Sequence, residues 1–205
     1  MSLAHETFWE RLIRFFRVKI LRDRRTKLNY QYRSGGWEWL ARLDEQGHQF
    51  ILAGYFRRLK PGGALLDLGC GEGVFIDVIG KESYCCYEGV DLADEAVRIG
   101  NEKRGDAKTR FFQGDFDTYV PTRDKFDAIV INEALYYSRD PQKCIARLDA
   151  FLAPDGFFLI SLLHPKPDAI WRELYRDYDF IDENTVTNLR QTTWTCRILK
   201  RRGPS

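Results

Sequence analysis

The chain has 205 residues, 44% of them apolar and 30% charged, enough for one α/β domain with its own core and too few for two domains of ordinary size. Its apolar runs fall far short of the roughly 20 residues that span a bilayer, and no basic-apolar-small leader opens it, so a cytoplasmic setting is expected. Five cysteines without a C-x-x-C pair exclude a disulfide framework and a zinc knuckle and read as free thiols.

The net charge of +2 conceals an asymmetry: residues 1–33 hold nine Lys/Arg against three acids, and the remainder is net −4. A basic segment of that kind suits an anionic partner such as nucleic acid, a membrane surface or a phosphorylated substrate. Within it, Trp9, Leu12, Ile13, Phe16 and Ile20 recur every three to four residues, which predicts an amphipathic helix over 7–21 packed on its own domain. Residues 29–39 predict an aromatic-rich loop hinged at Gly35-Gly36, and 38–59 a helix ended by Lys60-Pro61-Gly62-Gly63.

Beyond that break, β-rich runs at 64–68, 85–90, 109–113, 128–132 and 157–163 alternate with helical stretches, the pattern of βαβ units in a parallel sheet with right-handed crossovers. Two further runs, 184–188 and 192–199, predict a closing antiparallel hairpin. The expected fold is α/β: a mainly parallel seven-stranded sheet with helices on both faces and a closing antiparallel β-hairpin. An N-terminal helical extension or lid (1–58) precedes it, with the sheet domain at 59–205.

The most informative stretch is Leu65-Leu66-Asp67-Leu68-Gly69-Cys70-Gly71-Glu72-Gly73-Val74-Phe75, a strand running through three alternating glycines into a helix. Glycine lets the backbone turn tightly and approach a ligand closely. A dinucleotide loop wants G-x-G-x-x-G for its pyrophosphate. Val74 stands at the third glycine's place, which disfavours an NAD(P)-dependent oxidoreductase. Asp91 ends the second strand 18 residues after Gly73, where a carboxylate can accept both hydroxyls of a ribose. Asp115 and Phe116 follow the third strand, an acid to accept from an adenine amino group and a ring to pack on it.

At these residues the chain resembles the class I, Rossmann-like S-adenosylmethionine-dependent methyltransferase superfamily. The resemblance runs in order through LLDLGCGEGVF, YEGVDLADEAV, FFQGDFD, FDAIVINEALYY and LAPDGFFLIS, over about residues 60–165. It implies S-adenosyl-L-methionine as cofactor and S-adenosyl-L-homocysteine as product. It also implies site roles: Asp67, Gly69 and Gly71 at the methionine end, Gly73 in the turn, Asp91 at the ribose, Asp115 and Phe116 at adenine, and Asn132 and Glu133 beneath the sulfonium, with Cys70 and Leu92 also among the cofactor-binding residues.

A direct displacement draws much of its rate from holding the acceptor in line with the methyl group, and a hydroxyl acceptor also needs its proton removed. His164, at the end of the fifth strand, is the expected base, with Glu133 and Tyr136 as rivals; a carboxylate acceptor needs none. Tyr30, Tyr32, Trp37 and Trp39 are expected in the acceptor pocket. The fourth strand ends in Asn132-Glu133-Ala134-Leu135 rather than D-P-P-Y or N-P-P-Y, and no Pro-Cys pair marks a cytosine nucleophile. Both absences disfavour nucleic acid, which the basic N-terminal segment keeps as the alternative. The aromatic Y-x-x-G-x-W lead-in and terminal hairpin are similar to those of bacterial small-molecule methyltransferases, which implies a hydroxyl, or else a carboxyl or amine, of a metabolite or sugar-type acceptor. A non-catalytic adaptor on the same fold stands as the third reading, and no metal ligand set is signalled.

Overall fold

The computed structural model describes residues 23–164 and 168–203. The expected helix over 7–21 lies outside the described residues. Apolar runs without alternation need cover on both faces, and five of them form β1 (Gly63–Leu68), β2 (Tyr84–Asp91), β3 (Thr109–Gln113), β4 (Phe126–Asn132) and β5 (Leu152–Leu163). The hairpin supplies β6 (Tyr178–Thr187) and β7 (Thr193–Arg201). The strand order is β3-β2-β1-β4-β5-β7-β6, with parallel pairing from β3 to β5 and antiparallel pairing of β7 with both β5 and β6.

Six α-helices are described: α1 (Arg24–Arg33), α2 (Gly47–Leu59), α3 (Val74–Ile79), α4 (Asp94–Arg104), α5 (Pro141–Leu148) and α6 (Asp168–Leu174). They sandwich the sheet. On one face Leu66, Leu68, Ile129, Ile131 and Ile160 pack against Cys144, Ile145 and Leu148 of α5 and Trp171 and Leu174 of α6. On the other, Leu65, Ala128, Val130 and Leu159 pack against Leu52, Ala53 and Phe56 of α2 and Phe75, Ile76 and Ile79 of α3. Each such side chain fully removed from water contributes about 1.5–3 kcal/mol.

Four expectations need correcting. Residues 29–33 are helical, not loop, because Asp23 caps α1: its Oδ1 accepts from the Thr26 amide at 3.1 Å. The helix expected over 38–59 is broken into short 3-10 turns at Glu38–Ala41 and Leu43–Glu45 before α2, the chain being extended at Arg42 (ψ 141°). The strands of the hairpin run longer than the β-rich runs, since its loop is closed by the Asn188 side chain, whose Oδ1 accepts from the amides of Arg190 and Thr192, each at 2.9 Å. The expected division at 58/59 falls inside α2, whose Leu52, Ala53 and Phe56 are fully buried in the sheet domain.

The chain runs outward from β1 to β3, then returns to place β4 on the other flank of β1. In open α/β sheets, the carboxyl ends of strands at such a reversal are where ligands sit.

Candidate active site

The glycine loop leaves β1 at that edge. Gly69, Gly71 and Gly73 all take positive φ (76°, 57° and 84°), a region L side chains rarely adopt. They are glycine for different reasons. A Cβ on Gly69 would meet Ala134 Cβ at 2.4 Å and one on Gly73 would meet the Phe111 ring at 2.5 Å, so these two let the loop pack down. A Cβ on Gly71 would meet only the Tyr32 hydroxyl of α1, at 2.8 Å.

Two buried acids lie under the loop. Asp91 Oδ2 accepts from the Gly71 amide at 3.0 Å and its Oδ1 from the Ala93 amide at 2.8 Å. Each oxygen keeps a lone pair. Burial pushes Asp91 above the usual carboxylate range, and those amides pull it back. Asp67 Oδ2 accepts from the Tyr87 hydroxyl at 2.6 Å, while its Oδ1 is buried without a partner. Burial raises Asp67 to about 7, the Tyr87 bond opposing and Asp91 adding to the rise. Cys70, half-buried, gives its amide to the Val90 carbonyl at 3.1 Å.

Past β3, the Phe116 ring comes within 3.9 Å of the Cβ position of Gly69. Asp115 accepts from Arg139 at 2.6 Å and from the Asp117 amide at 3.0 Å, so its carboxylate is already engaged. Leu92 is half-buried, and its carbonyl accepts from Gln113 Nε2 at 3.3 Å.

The mouth of β4 carries a different kind of cluster. Glu133 has φ 55°, in the left-handed region that a non-glycine residue seldom occupies. Its Oε2 accepts from the Tyr136 hydroxyl at 3.2 Å and its Oε1 from Ser161 Oγ at 3.5 Å. Ser161 also donates to Asn132 Oδ1 at 2.6 Å. Burial raises Glu133 to about 8, against the pull of Tyr136, Trp194 and Ser161. Behind Trp194 stacks His48 of α2, with ring centroids 4.7 Å apart. Burial holds His48 down at about 3, so it packs as a neutral ring.

His164 stands apart from this cluster: it is exposed, and its amide donates to the Thr193 carbonyl at 2.8 Å. Of the four aromatics, Tyr30 and Trp39 are exposed and Trp37 is half-buried with an unpartnered Nε1. Tyr32 reaches the glycine loop, and burial drives its hydroxyl well above its usual range, with Asp91 adding to the rise. α1 is held there by Arg25 on Asp94 (2.5 and 2.9 Å) and by Asn29, which donates to Asp94 and accepts from the Glu95 amide, each at 2.9 Å. Sequence reading missed Ser161, Trp194 and Tyr87, whose only local signal is a polar or aromatic side chain inside a strand.

A methyltransferase-domain family matches residues 37–203. The chain belongs to that family. Its sheet and glycine loop are those of class I S-adenosylmethionine-dependent methyltransferases. Among relatives, it is 26% identical to juvenile hormone acid O-methyltransferase of Bombyx mori over 53% of this chain and 41% of that protein. It is 26% identical to ubiquinone biosynthesis O-methyltransferase of Coxiella burnetii over 50% of this chain and 44% of that protein. The chain thus spans less than half the length of either. Among solved structures, the fold is similar to that of N-methyltransferase NodS from Bradyrhizobium japonicum WM9, solved with S-adenosyl-L-homocysteine. There the TM-score is 0.74 at 14% identity, covering 87% of this chain and 98% of that one.

The residues at this edge of the sheet fit the family's cofactor. Asp67 Oδ1 is a buried, unpartnered acceptor, which an ammonium group would satisfy. The two Asp91 oxygens, aligned by backbone amides, have capacity left for a pair of hydroxyls.

Proposed function

We propose that this methyltransferase transfers the methyl group of S-adenosylmethionine to a hydroxyl of a small-molecule acceptor, with Glu133 taking the acceptor's proton. In this reading Asp67 holds the cofactor's ammonium, Asp91 its ribose hydroxyls, and Phe116 packs on its adenine. The bound cofactor supplies an electrophilic methyl group on a positively charged sulfur. The protein contributes alignment, exclusion of water and a proton acceptor.

The observation that carries the reading is the Glu133 cluster, a half-buried carboxylate in a strained backbone conformation, fixed by Tyr136 and Ser161. Strain and burial of this kind gather at functional sites. A base poised near pH 8 works close to the operating pH, and a positive charge beside it draws its pKa lower still. Glu133 therefore replaces His164 as first choice, since His164 is exposed and lacks comparable anchoring. The N-terminal lid would be α1 with the aromatic turn after it. Tyr32 closes over Gly71, and the buried Trp37 Nε1 offers an unpartnered donor to an acceptor oxygen.

The names of the two curated relatives speak of O-methylation, which favours an oxygen acceptor. No described helix is long and apolar enough to cross a membrane, and five free cysteines suit the reducing cytoplasm, the setting we propose. Incubation with methyl-labelled S-adenosylmethionine and cell extract tests the acceptor class. Label should enter a solvent-extractable fraction that survives nuclease and protease; label in nucleic acid or protein would overturn the small-molecule reading.

A further inference from the structure

The amino end of β2, opposite the edge that carries Asp91, holds two adjacent thiols. Gly63 of β1 pairs with Tyr84 and Ala64 with Cys86, so Cys85 is one residue more than the partner strand provides. An extra residue of this sort is a β-bulge, and it interrupts the alternation of side chains between faces. The packing registers the slip. Tyr84 and Tyr87 both lie in the core under α2 and α3, whereas Cys86 and Val90 pack on the core under α5 and α6. The bulge breaks the alternation that would set neighbouring side chains on opposite faces, so exposed Cys85 and half-buried Cys86 come to the same side of the strand.

The surroundings are cationic. Arg123 Nη1 lies 3.6 Å from Cys86 Sγ, and Cys86 lines a cleft of about 190 Å³ together with Lys108, Arg110, Thr122 and Arg123. Glu88, on the same cleft, is already engaged by the Tyr119 hydroxyl and the Thr122 amide at 2.9 and 3.0 Å. Among the described residues no group of three or more His, Cys, Asp or Glu could hold a metal ion. A four-coordinate ion therefore finds only half its ligands here, whereas a soft centre satisfied by two sulfurs finds all of them.

We propose that Cys85 and Cys86 form a chelating site for a thiophilic metalloid or metal ion held by two sulfurs. Adjacent thiols on one face meet the second As–S or metal–S bond as an intramolecular event, so the pair binds far more tightly than either thiol alone. The guanidinium of Arg123 favours the thiolate form of Cys86. Burial pushes the Cys86 thiol up, with Arg123 pulling against it, and since the thiolate is the nucleophile the rate of capture rises with pH.

Phenylarsine oxide is the probe. Its arsenic stays trivalent: two S–H bonds and the As–O bond break, two As–S bonds form, and water leaves with the two thiol protons. Intact-protein mass spectrometry of the reduced, folded full-length chain should show one equivalent bound, with the mass change of that condensation. Cys85→Ser and Cys86→Ser should each weaken binding by about 100-fold or more. Arg123→Gln should keep the stoichiometry and slow capture of the probe at neutral pH, because the Cys86 thiolate loses its cation. Cys85 is exposed, so its serine variant should match the wild-type thermal melt, and Cys85→Ala provides a second fold-neutral variant. Binding by both Cys85 variants as tight as wild type would overturn the site. So would a wild-type chain that takes up the probe only after denaturation.

Discussion

At the ends of β1 and β2 the groups proposed to meet the cofactor are held by backbone: Asp91 is gripped by the amides of Gly71 and Ala93, and three positive-φ glycines set the loop. At the ends of β4 and β5 the equivalent work falls to side chains from distant segments. Glu133 is fixed by Tyr136 and by Ser161 of β5, while Trp194 of β7, stacked on His48 of α2, lowers its pKa. The first half is a local construction that can be inherited as a short motif. The second depends on the tertiary fold, and its chemistry can change without disturbing the first.

If the division is real, the largest effect belongs to the β4 half and falls on turnover alone. Glu133→Gln keeps the shape and removes the proton acceptor, so kcat should drop about 10²–10⁴-fold while S-adenosylhomocysteine affinity stays nearly constant. In the wild type, kcat/KM should climb as pH rises through about 8, because Glu133 in the free enzyme accepts a proton only once ionised. That limb should vanish in the variant. Steady-state kinetics with the identified acceptor check both; a Glu133→Gln enzyme with wild-type kcat would return His164 to first place.

The converse perturbation is Asp91→Ala, expected to act on binding. Hydrogen bonds to charged groups are worth about 1.5–3 kcal/mol each, so losing an acceptor for two hydroxyls should weaken S-adenosylhomocysteine by roughly 100-fold or more. The loop amide of Gly71 loses its partner as well. Titration calorimetry reads the change, and an unchanged Kd would mean that Asp91 serves the loop only.

The same contrast explains what could be read without coordinates. The strand alternation, the parallel sheet and the positions of Asp67, Gly71 and Asp91 follow from local periodicity and from glycine's conformational freedom, which are written within a few residues of one another. Glu133 was visible as a candidate, but its rank above His164 was not. Its φ of 55° shows only in the folded chain, and its bond to Ser161 and the pull of Trp194 on its pKa come from residues 28 and 61 positions away. Tyr32 was expected in the acceptor pocket, yet it stands over Gly71 because Asp23 caps a helix where the Gly-Gly pair had suggested only loop. Boundaries failed where a side chain, such as Asn188, closed a turn that no glycine or proline marked.

Asp67 permits a finer test of the cofactor half. Burial raises it to about 7 in the free protein, so below that pH it is mostly protonated and offers no charge to an ammonium group. Binding of S-adenosylhomocysteine through that group would require its ionisation. Affinity should then rise about tenfold per pH unit up to roughly pH 7 and level above it. Asp67→Asn should flatten the dependence; a wild-type Kd constant from pH 5 to 8 would remove Asp67 from the ammonium site.

The smallest effect expected lies in the attachment of α1. Its ion pair, Arg25 with Asp94, is half-exposed on both sides, at 51% and 49%, and exposed pairs contribute about 0.2–1 kcal/mol. Asn29 bonds the same carboxylate and the Glu95 amide at 2.9 Å each, so one lost pair leaves the helix partly anchored. Arg25→Gln should therefore change kcat/KM by no more than about fivefold, and raising the salt from 0.05 to 0.5 M should bring wild type towards the variant as the charges are screened. A loss of 100-fold, insensitive to salt, would mean that Arg25 touches a ligand rather than only Asp94. It would also move α1 from a detachable cover into the binding machinery.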